Sequence, residues 1–417
     1  MPGAVTAPGK IKGKKGEAMV KIGGRGRYGV RVGADGASGF WRGVWLQLAI
    51  GALFWAAEAV AQDGHMPPPL AVDNDGTVHV PAMSVPVSSY LSPEGKAYLA
   101  EHLKQVQRPE MLVQVNGVPP LLAGYLERQR ALFAVEREDT NIGGVHAYIY
   151  TPKEGIAGSN KKRVLIDLHG GGFSGCWPGC AELESLPIAA LGRIRVVSLD
   201  YREGPKYQFP AASEDVAAAY RELLKSYRAQ DIGIYGCSAG GMLTGMSVAW
   251  FQRHGLPAPG AVGMFCAGAT LGEGGFGFGG DATYTALPLG EGRAPPPAAA
   301  PPAPATPGAT GGGAAKRSGL GYLANADPHD PLVAPAASAE VLGKFPPTLI
   351  ITGTRGFEVS SALYTHSQMV RLGVDAELHV WEGMFHGFFY NPDVPESRDC
   401  YDVIVKFFAR HLGDAHR

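Results

Sequence analysis

Short apolar runs alternate with amphipathic stretches along most of this chain. The runs at residues 145–152, 161–172 and 194–202 are typical of half-buried or fully buried β-strands. The stretch 213–227 is typical of an amphipathic helix, with Ser213 as its predicted N-cap. Strands that alternate with helices predict an α/β fold, in which a mainly parallel sheet carries helices on both faces.

The pattern extends to both ends of this region. Residues 92–133 predict two or three helices, with Ser92 before the first helix and Pro93 at its first position. Further strands or strand–helix units are predicted at residues 231–255, 260–270, 346–356 and 375–383, followed by a closing helix at 397–412.

Composition divides the chain into three parts. Residues 1–61 are a basic extension followed by an apolar segment, residues 62–91 are a proline-rich linker, and residues 92–413 form the folded domain. Within that domain the Pro/Ala/Gly-rich stretch 294–317 predicts an exposed flexible loop, because it has too little apolar surface to form a core. The net charge of -1 gives no indication of nucleic-acid binding.

The apolar segment at residues 44–61 is typical of a targeting signal. It ends in Ala59, Val60 and Ala61, small residues of the kind that precede a cleavage site. We therefore predict a signal peptide cut after Ala61 and a secreted or periplasmic protein. An uncleaved membrane anchor is the alternative, since about 18 apolar residues are near the minimum for a membrane span.

The cysteine pattern bears on redox state and metals. Cys176 and Cys180 are four residues apart and can either pair in an oxidising compartment or remain free thiols. No second cysteine or histidine pair has the spacing of zinc ligands, so we predict no metal and no organic cofactor.

A serine lies in a glycine-rich turn at residues 236–240, Gly-Cys-Ser-Ala-Gly. This pentapeptide fits G-x-S-x-G and lies between a predicted strand and a predicted helix, as a nucleophile turn requires. Small neighbours are needed because such a turn has strained backbone angles. Ser238 is therefore the candidate nucleophile.

Three glycines follow an earlier predicted strand in the sequence His-Gly-Gly-Gly-Phe, residues 169–173. Successive glycines leave backbone N–H groups open to a ligand oxygen, and a tetrahedral intermediate needs such donors. His169 is expected to orient this loop by hydrogen bonds rather than to react.

His386 is the candidate base. It follows the last predicted strand in a loop that contains Gly383 and Gly387. Loops at the carboxyl edge of a parallel sheet are where such sites assemble.

The chain resembles the hormone-sensitive-lipase-like branch of the α/β-hydrolase esterases over roughly residues 95–412. The motifs that carry this resemblance are at residues 169–173, 200–216, 236–241, 327–333, 346–355 and 380–388. The resemblance implies an α/β-hydrolase fold with an eight-stranded sheet, an N-terminal helical cap, and short- to medium-chain carboxylic esters as substrates. It also implies Ser238 as nucleophile, His386 as base, and Gly171, Gly172 and Ala239 as oxyanion-hole donors.

The chain departs from the family pattern at two positions. Cys237 precedes the serine where the family usually has Asp, and Gly356 stands where the catalytic acid normally lies. Glu358 is two residues further on and is the candidate acid. If residues 356–358 are extended, Glu358 shares a face with position 356; if they are helical, Glu358 points away and the site is a dyad.

Besides a lipase that acts on insoluble fat, two functions remain open from the sequence. The first is a serine carboxylesterase that forms an acyl-enzyme on Ser238, with Phe173 and Trp177 as candidate substrate-binding residues. The second is a catalytically weak or inactive protein of the same fold that binds a small apolar ligand under the cap. The expected partner is a small-molecule ester and not a nucleic acid, with possible membrane attachment through residues 44–61.

Overall fold

A computed structural model of the chain describes residues 70–272, 280–290 and 321–413. The predictions for residues 1–61 and for the loop 294–317 lie outside the described residues. The chain splits into two compact units at Ser84 and Val85. In the first unit, β1 (Ala71–Val72) and β2 (Val78–His79) pair as a small antiparallel hairpin. None of the helices in the described part of the chain has the length and hydrophobicity to cross a membrane.

The second unit contains an eight-stranded sheet. Its order is β10-β9-β8-β7-β5-β6-β4-β3. The strands β5 to β10 pair in parallel, whereas β4 is antiparallel to both β6 and β3. This arrangement confirms the expected mainly parallel α/β sheet. The strands are β3 (Val135–Ile142), β4 (Val145–Pro152), β5 (Val164–Leu168), β6 (Arg195–Leu199), β7 (Ile232–Cys237), β8 (Ala261–Phe265), β9 (Thr348–Gly353) and β10 (Ala376–Trp381).

Helices cover both faces of this sheet. Because successive strand residues point to opposite faces, Ile166 of β5 packs in one core and its neighbour Leu165 in the other. The first core contains side chains of α4, α5 and α8, and the second contains side chains of α1, α3 and α9. The helices of the described residues are α1 (Pro93–Gln105), α2 (Pro120–Leu132), α3 (Gly179–Gly192), α4 (Ala211–Leu223), α5 (Ala239–Arg253), α6 (Asp281–Ala286), α7 (Ala339–Leu342), α8 (Val359–Arg371) and α9 (Pro395–His411).

The starts of two helices test the predicted caps. Helix α1 begins at Pro93, as the sequence predicts, and the Ser92 hydroxyl accepts a hydrogen bond from the Gly95 N–H at 2.9 Å. The prediction for Ser213 is wrong. Helix α4 already begins at Ala211, so Ser213 is buried inside its first turn instead of capping it.

Strand β3, which forms a hairpin with β4, is not predicted by the sequence pattern. The turn between them contains Gly143 and Gly144, whose φ angles of 61° and 91° lie in the left-handed region. Two glycines between runs of strand-forming residues are a recognised hairpin signal. The many charged residues of β3 concealed it, because β3 is an edge strand with a largely exposed surface.

Candidate active site

The turn that carries Ser238 joins β7 to α5. Its backbone has φ 58° and ψ -121°, a strained conformation for a residue with a side chain. The flanking glycines are required because β5 passes close by. A Cβ on Gly236 would lie 2.2 Å from the carbonyl oxygen of Leu168, and a Cβ on Gly240 only 1.6 Å from it. Chain packing therefore fixes the small residues of this motif.

The glycine-rich loop after β5 supplies candidate oxyanion donors. Gly171 and Gly172 have φ angles of +123° and +65°, and a Cβ on Gly171 would lie 2.0 Å from the carbonyl oxygen of Gly175. Ala239 opens α5, where first-turn N–H groups lack intrahelical partners and carry partial positive charge. Within the described residues, no protein acceptor receives the N–H of Gly171, Gly172 or Ala239.

His169 holds this loop in place. Its ring is fully buried, lies with Nδ1 2.7 Å from the Gly170 carbonyl oxygen, and stacks on Tyr201. Burial lowers the pKa of His169 to about 4, so the ring is neutral at physiological pH. This placement agrees with an orienting role.

A disulfide closes the same loop. Cys176 and Cys180 are bonded, with their Cα atoms 5.3 Å apart. The Cys176 N–H also donates to the side-chain oxygen of Gln114 at 2.6 Å. The loop is thus tied both to the start of α3 and to the segment between α1 and α2.

His386 and Glu358 are in direct contact. His386 Nδ1 lies 2.8 Å from Glu358 Oε2, and because a carboxylate can only accept, Nδ1 carries the proton. The hydroxyl of Thr352 donates to Glu358 Oε1 at 2.8 Å, and the Phe357 ring stacks on the imidazole at 4.3 Å. Glu358 is fully buried and has partners at both oxygens.

The backbone around Glu358 differs from both sequence expectations. It is not extended: Glu358 has φ -86° and ψ -3° and lies at the N-cap position of α8. The expectation that a helical backbone would turn Glu358 away from the site is wrong. The side chain folds back, so that a Cβ on Gly356 would lie 2.4 Å from Glu358 Oε1. The Glu358 carboxylate occupies the space of a side chain at position 356.

Helix α1 reaches the loop that carries His386. His102 stacks on Phe385 with ring centroids 3.6 Å apart, and Tyr98 contacts the same ring at 4.9 Å. Burial, followed by the charge of His386, lowers the pKa of His102 to about 3. His102 therefore presents a neutral ring beside His386.

The two predicted substrate-binding side chains have different surroundings. Phe173 is fully buried and stacks on Tyr322 at 4.7 Å in the core. Trp177 is half-buried and packs on Tyr148 at 4.8 Å and near His169 at 5.6 Å. Substrate contact by either residue stays a prediction.

Cys237, the residue before the serine, is fully buried, and burial raises the pKa of its thiol well above the usual range. It is therefore a protonated packing residue. Ser238, which is partly exposed, remains the candidate nucleophile.

One group of described residues could hold a metal ion. One ligand atom from each of Cys266, Glu358 and His386 lies within 4.8 Å of the others. Thiolate, carboxylate and imidazole are all zinc ligands. An ion bound there would compete with proton transfer by the His386 imidazole.

Glu184, a fully buried acid on α3, is a further residue of the site that no sequence motif predicts. Its Oε1 accepts hydrogen bonds from the Gly170 N–H at 2.8 Å and from the Tyr390 hydroxyl at 2.9 Å. Its Oε2 accepts one from the Cys237 N–H at 2.9 Å. The available signal is the presence of two acidic residues, Glu182 and Glu184, in a largely apolar helix, since a buried charge needs specific partners.

Comparison with known proteins gives consistent matches. A family model described as the alpha/beta hydrolase fold matches residues 165–282 and 311–390. An acetyl-hydrolase of Streptomyces hygroscopicus is 28% identical over 255 residues, which are 60% of this chain and 77% of that protein. A versiconal hemiacetal acetate esterase of Emericella nidulans is 33% identical over 111 residues, 26% of this chain and 36% of that protein.

Solved structures show the same fold. The esterase E25 superposes with a TM-score of 0.65 at 27% identity, covering 80% of this chain and 99% of that one. An esterase of the bacterial hormone-sensitive lipase family superposes with a TM-score of 0.60 at 23% identity, covering 76% and 99%. The fold and the resemblance expected from the motifs are confirmed.

Proposed function

We propose that this chain, which has the α/β-hydrolase fold and resembles carboxylic ester hydrolases, is a serine carboxylesterase that forms an acyl-enzyme on Ser238. Short- to medium-chain carboxylic esters are the proposed substrates. An acetyl-hydrolase and an acetate esterase among the relatives favour the short end of this range.

The proposed reaction has two halves. The Ser238 hydroxyl oxygen attacks the ester carbonyl carbon while His386 takes the hydroxyl proton. The N–H groups of Gly171, Gly172 and Ala239 stabilise the oxyanion. The tetrahedral intermediate then expels the alcohol, which takes the proton from His386. Water, deprotonated by the same imidazole, attacks the acyl-enzyme and releases the acid and the free serine.

The 2.8 Å contact between His386 Nδ1 and Glu358 carries this proposal. It supports an acid that fixes the tautomer of the base and stabilises the imidazolium. The alternative of an inactive ligand-binding protein was motivated by the glycine at position 356. Because Glu358 places a carboxylate in that space, the motive for the alternative is removed.

Hydrolysis of p-nitrophenyl esters from C2 to C12 tests the proposal. We expect turnover that declines at long chain lengths, and loss of that turnover in Ser238→Ala with an unchanged circular dichroism spectrum. A fluorophosphonate probe should label the parent protein and not the variant. Retained turnover in Ser238→Ala would remove this residue from the mechanism, and an unlabelled, inactive parent would favour the ligand-binding alternative.

We also propose that residues 44–61 direct export and are removed after Ala61. The disulfide between Cys176 and Cys180 supports this, since disulfides persist in oxidising compartments. N-terminal sequencing of the protein from an exported fraction should begin at Gln62. An intact N-terminus in a membrane fraction would favour the anchor instead.

A further inference from the structure

We infer that Glu184 is a positioning residue that fixes the spacing between the two halves of the oxyanion hole. The inference rests on the proposed function, because it concerns the donors of that hole. It is carried by the two backbone hydrogen bonds that the Glu184 carboxylate accepts, one from each loop.

The oxyanion donors come from two separate segments of chain. Gly171 and Gly172 belong to the loop after β5, and Ala239 belongs to the turn after β7. The N–H of Gly170, directly before the first pair, donates to Glu184 Oε1 at 2.8 Å. The N–H of Cys237, two residues before Ala239, donates to Glu184 Oε2 at 2.9 Å. One rigid carboxylate thus holds both segments at a fixed separation.

The same carboxylate also contacts the segment that follows His386. The Tyr390 hydroxyl donates to Glu184 Oε1 at 2.9 Å, and Tyr390 lies four residues after His386. The side chain of Glu184 is inside the core, where it is only 3% exposed. Burial, and then the charge of nearby Asp167, raise the pKa of Glu184, whereas the three hydrogen bonds favour its ionised form.

The cost of losing this acceptor follows from its burial. In Glu184→Gln the amide oxygen can replace only one of the two carboxylate oxygens, so the N–H of Gly170 or that of Cys237 faces an NH2 donor and lacks a partner in the interior, which is costly. The loops would have to shift to find other partners. Transition-state stabilisation depends on donors that are already aimed at the developing oxyanion, so a small shift reduces kcat more than substrate binding.

The helix provides a matched control. Glu182 lies two residues before Glu184 on α3 and is also buried. It forms ion pairs with Arg130 and Arg137 at 2.6 Å each. It makes no hydrogen bond to the oxyanion loop or to the serine turn within the described residues. Replacing either acid by glutamine removes one buried carboxylate from the same helix.

The experiment compares Glu184→Gln and Glu182→Gln with the parent protein. For each we would measure the melting temperature, kcat and KM on p-nitrophenyl acetate, and the inhibition constant of a trifluoromethyl ketone, which places an oxyanion in the hole. We expect kcat of Glu184→Gln to fall by about 10- to 100-fold with KM within about threefold. The inhibition constant should rise in proportion to the loss of kcat/KM, while Glu182→Gln lowers only the melting temperature.

Several results would overturn the inference. One is a Glu184→Gln kcat within about twofold of the parent, and another is an equal kcat loss in Glu182→Gln. If Glu184→Gln does not fold, Glu184→Asp is measured in the same way, since it keeps the charge but cannot span both loops. If neither variant folds, a purely structural role explains the residue and the inference fails. An inactive parent that no fluorophosphonate labels would instead contradict the proposed function itself.

Discussion

The candidate catalytic acid of this chain, Glu358, lies two residues after the position where the family resemblance places it. The family resemblance places the catalytic acid at position 356, where this chain has glycine. The Glu358 carboxylate lies in the space that a 356 side chain would fill, and contacts both His386 and Thr352. The missing side chain at Gly356 is therefore what makes room for the longer acid.

This arrangement predicts a compensating pair of substitutions. Glu358→Ala should lower kcat by about 10^3-fold or more, as loss of a triad acid does. Adding Gly356→Asp to Glu358→Ala should restore kcat at least tenfold, because the new carboxylate occupies the vacated space. The measurement is kcat on p-nitrophenyl acetate for both single variants and the double variant.

Gly356→Ala is the control, since it adds a methyl group but no acid. It should lower kcat, because Glu358 can only avoid the new Cβ by leaving His386. Two results would contradict the claim that the Glu358 carboxylate occupies the space of a side chain at position 356. One is an unchanged kcat in Gly356→Ala, and the other is a double variant whose kcat is no higher than that of Glu358→Ala.

At the scale of single residues, the sequence predicts which residues belong to the site better than it predicts how their side chains are oriented. Ser238 and His386 could be nominated from motif and position, because glycine spacing and the end of a strand are local signals. The orientation of Glu358 depends on its hydrogen bond to Thr352 of β9, a contact between elements that no local pattern shows. The contacts of Glu184 are likewise invisible to local pattern, because its partners are distant from it in the sequence.

At the scale of elements, several separate constraints act on the loop between β5 and α3. It combines left-handed glycines, the neutral His169 and the disulfide between Cys176 and Cys180. The short loop that the disulfide closes limits its entropic contribution to about 2 kcal/mol in the chain-entropy account.

Reduction of this disulfide should therefore have a modest effect on stability and a clear effect on activity. We expect the free energy of unfolding to fall by about 2 kcal/mol, and kcat to fall because the oxyanion loop loses an anchor. Urea unfolding and ester turnover would be measured with and without a phosphine reductant. The double variant Cys176→Ser, Cys180→Ser should be insensitive to the reductant; a reductant effect that persists in it would assign the change to another group.

Elements with strong periodicity were predicted closely, as for β4 at residues 145–152, where the structure has Val145–Pro152. The predicted start of helix α4, at Ser213, lies two residues after the observed start at Ala211, because Pro210 and not Ser213 is the N-cap. Strand β3 was missed because its charged residues face solvent at the sheet edge, which removes the apolar signal. Local pattern thus identifies buried elements and fails where an element is stabilised mainly by backbone pairing.

At the scale of the whole molecule, buried acids set the response of stability to pH. Burial raises the pKa of Asp167 to about 7 and that of Glu203 to about 8. Between pH 6.5 and 8 both acids are already ionised in the unfolded chain, whereas in the folded protein Asp167 gives up its proton near pH 7 and Glu203 near pH 8. The folded state binds more protons, so its stability falls as pH rises through this window.

We expect the urea midpoint to decrease from pH 6.5 to pH 8. In Glu203→Gln the decrease should be smaller, since one of the acids with a raised pKa has been removed. The buried His169 and His102 act in the opposite direction below pH 6.5, where the unfolded chain gains their protons first, and this is why the window starts there. A Glu203→Gln midpoint that falls as steeply as that of the parent would contradict the assignment.

The space shared by position 356 and Glu358 also restricts how such a site can evolve. A lineage that moves its acid between these two positions must pass through a sequence with no acid or with two acids competing for one volume. We expect either intermediate to have a lower kcat than the parent protein, since the first has no acid and in the second the two side chains collide. A glycine at the expected position of the acid is therefore compatible with a carboxylate at the site, supplied from two residues further on. A glycine at that position alone does not identify an inactive homologue.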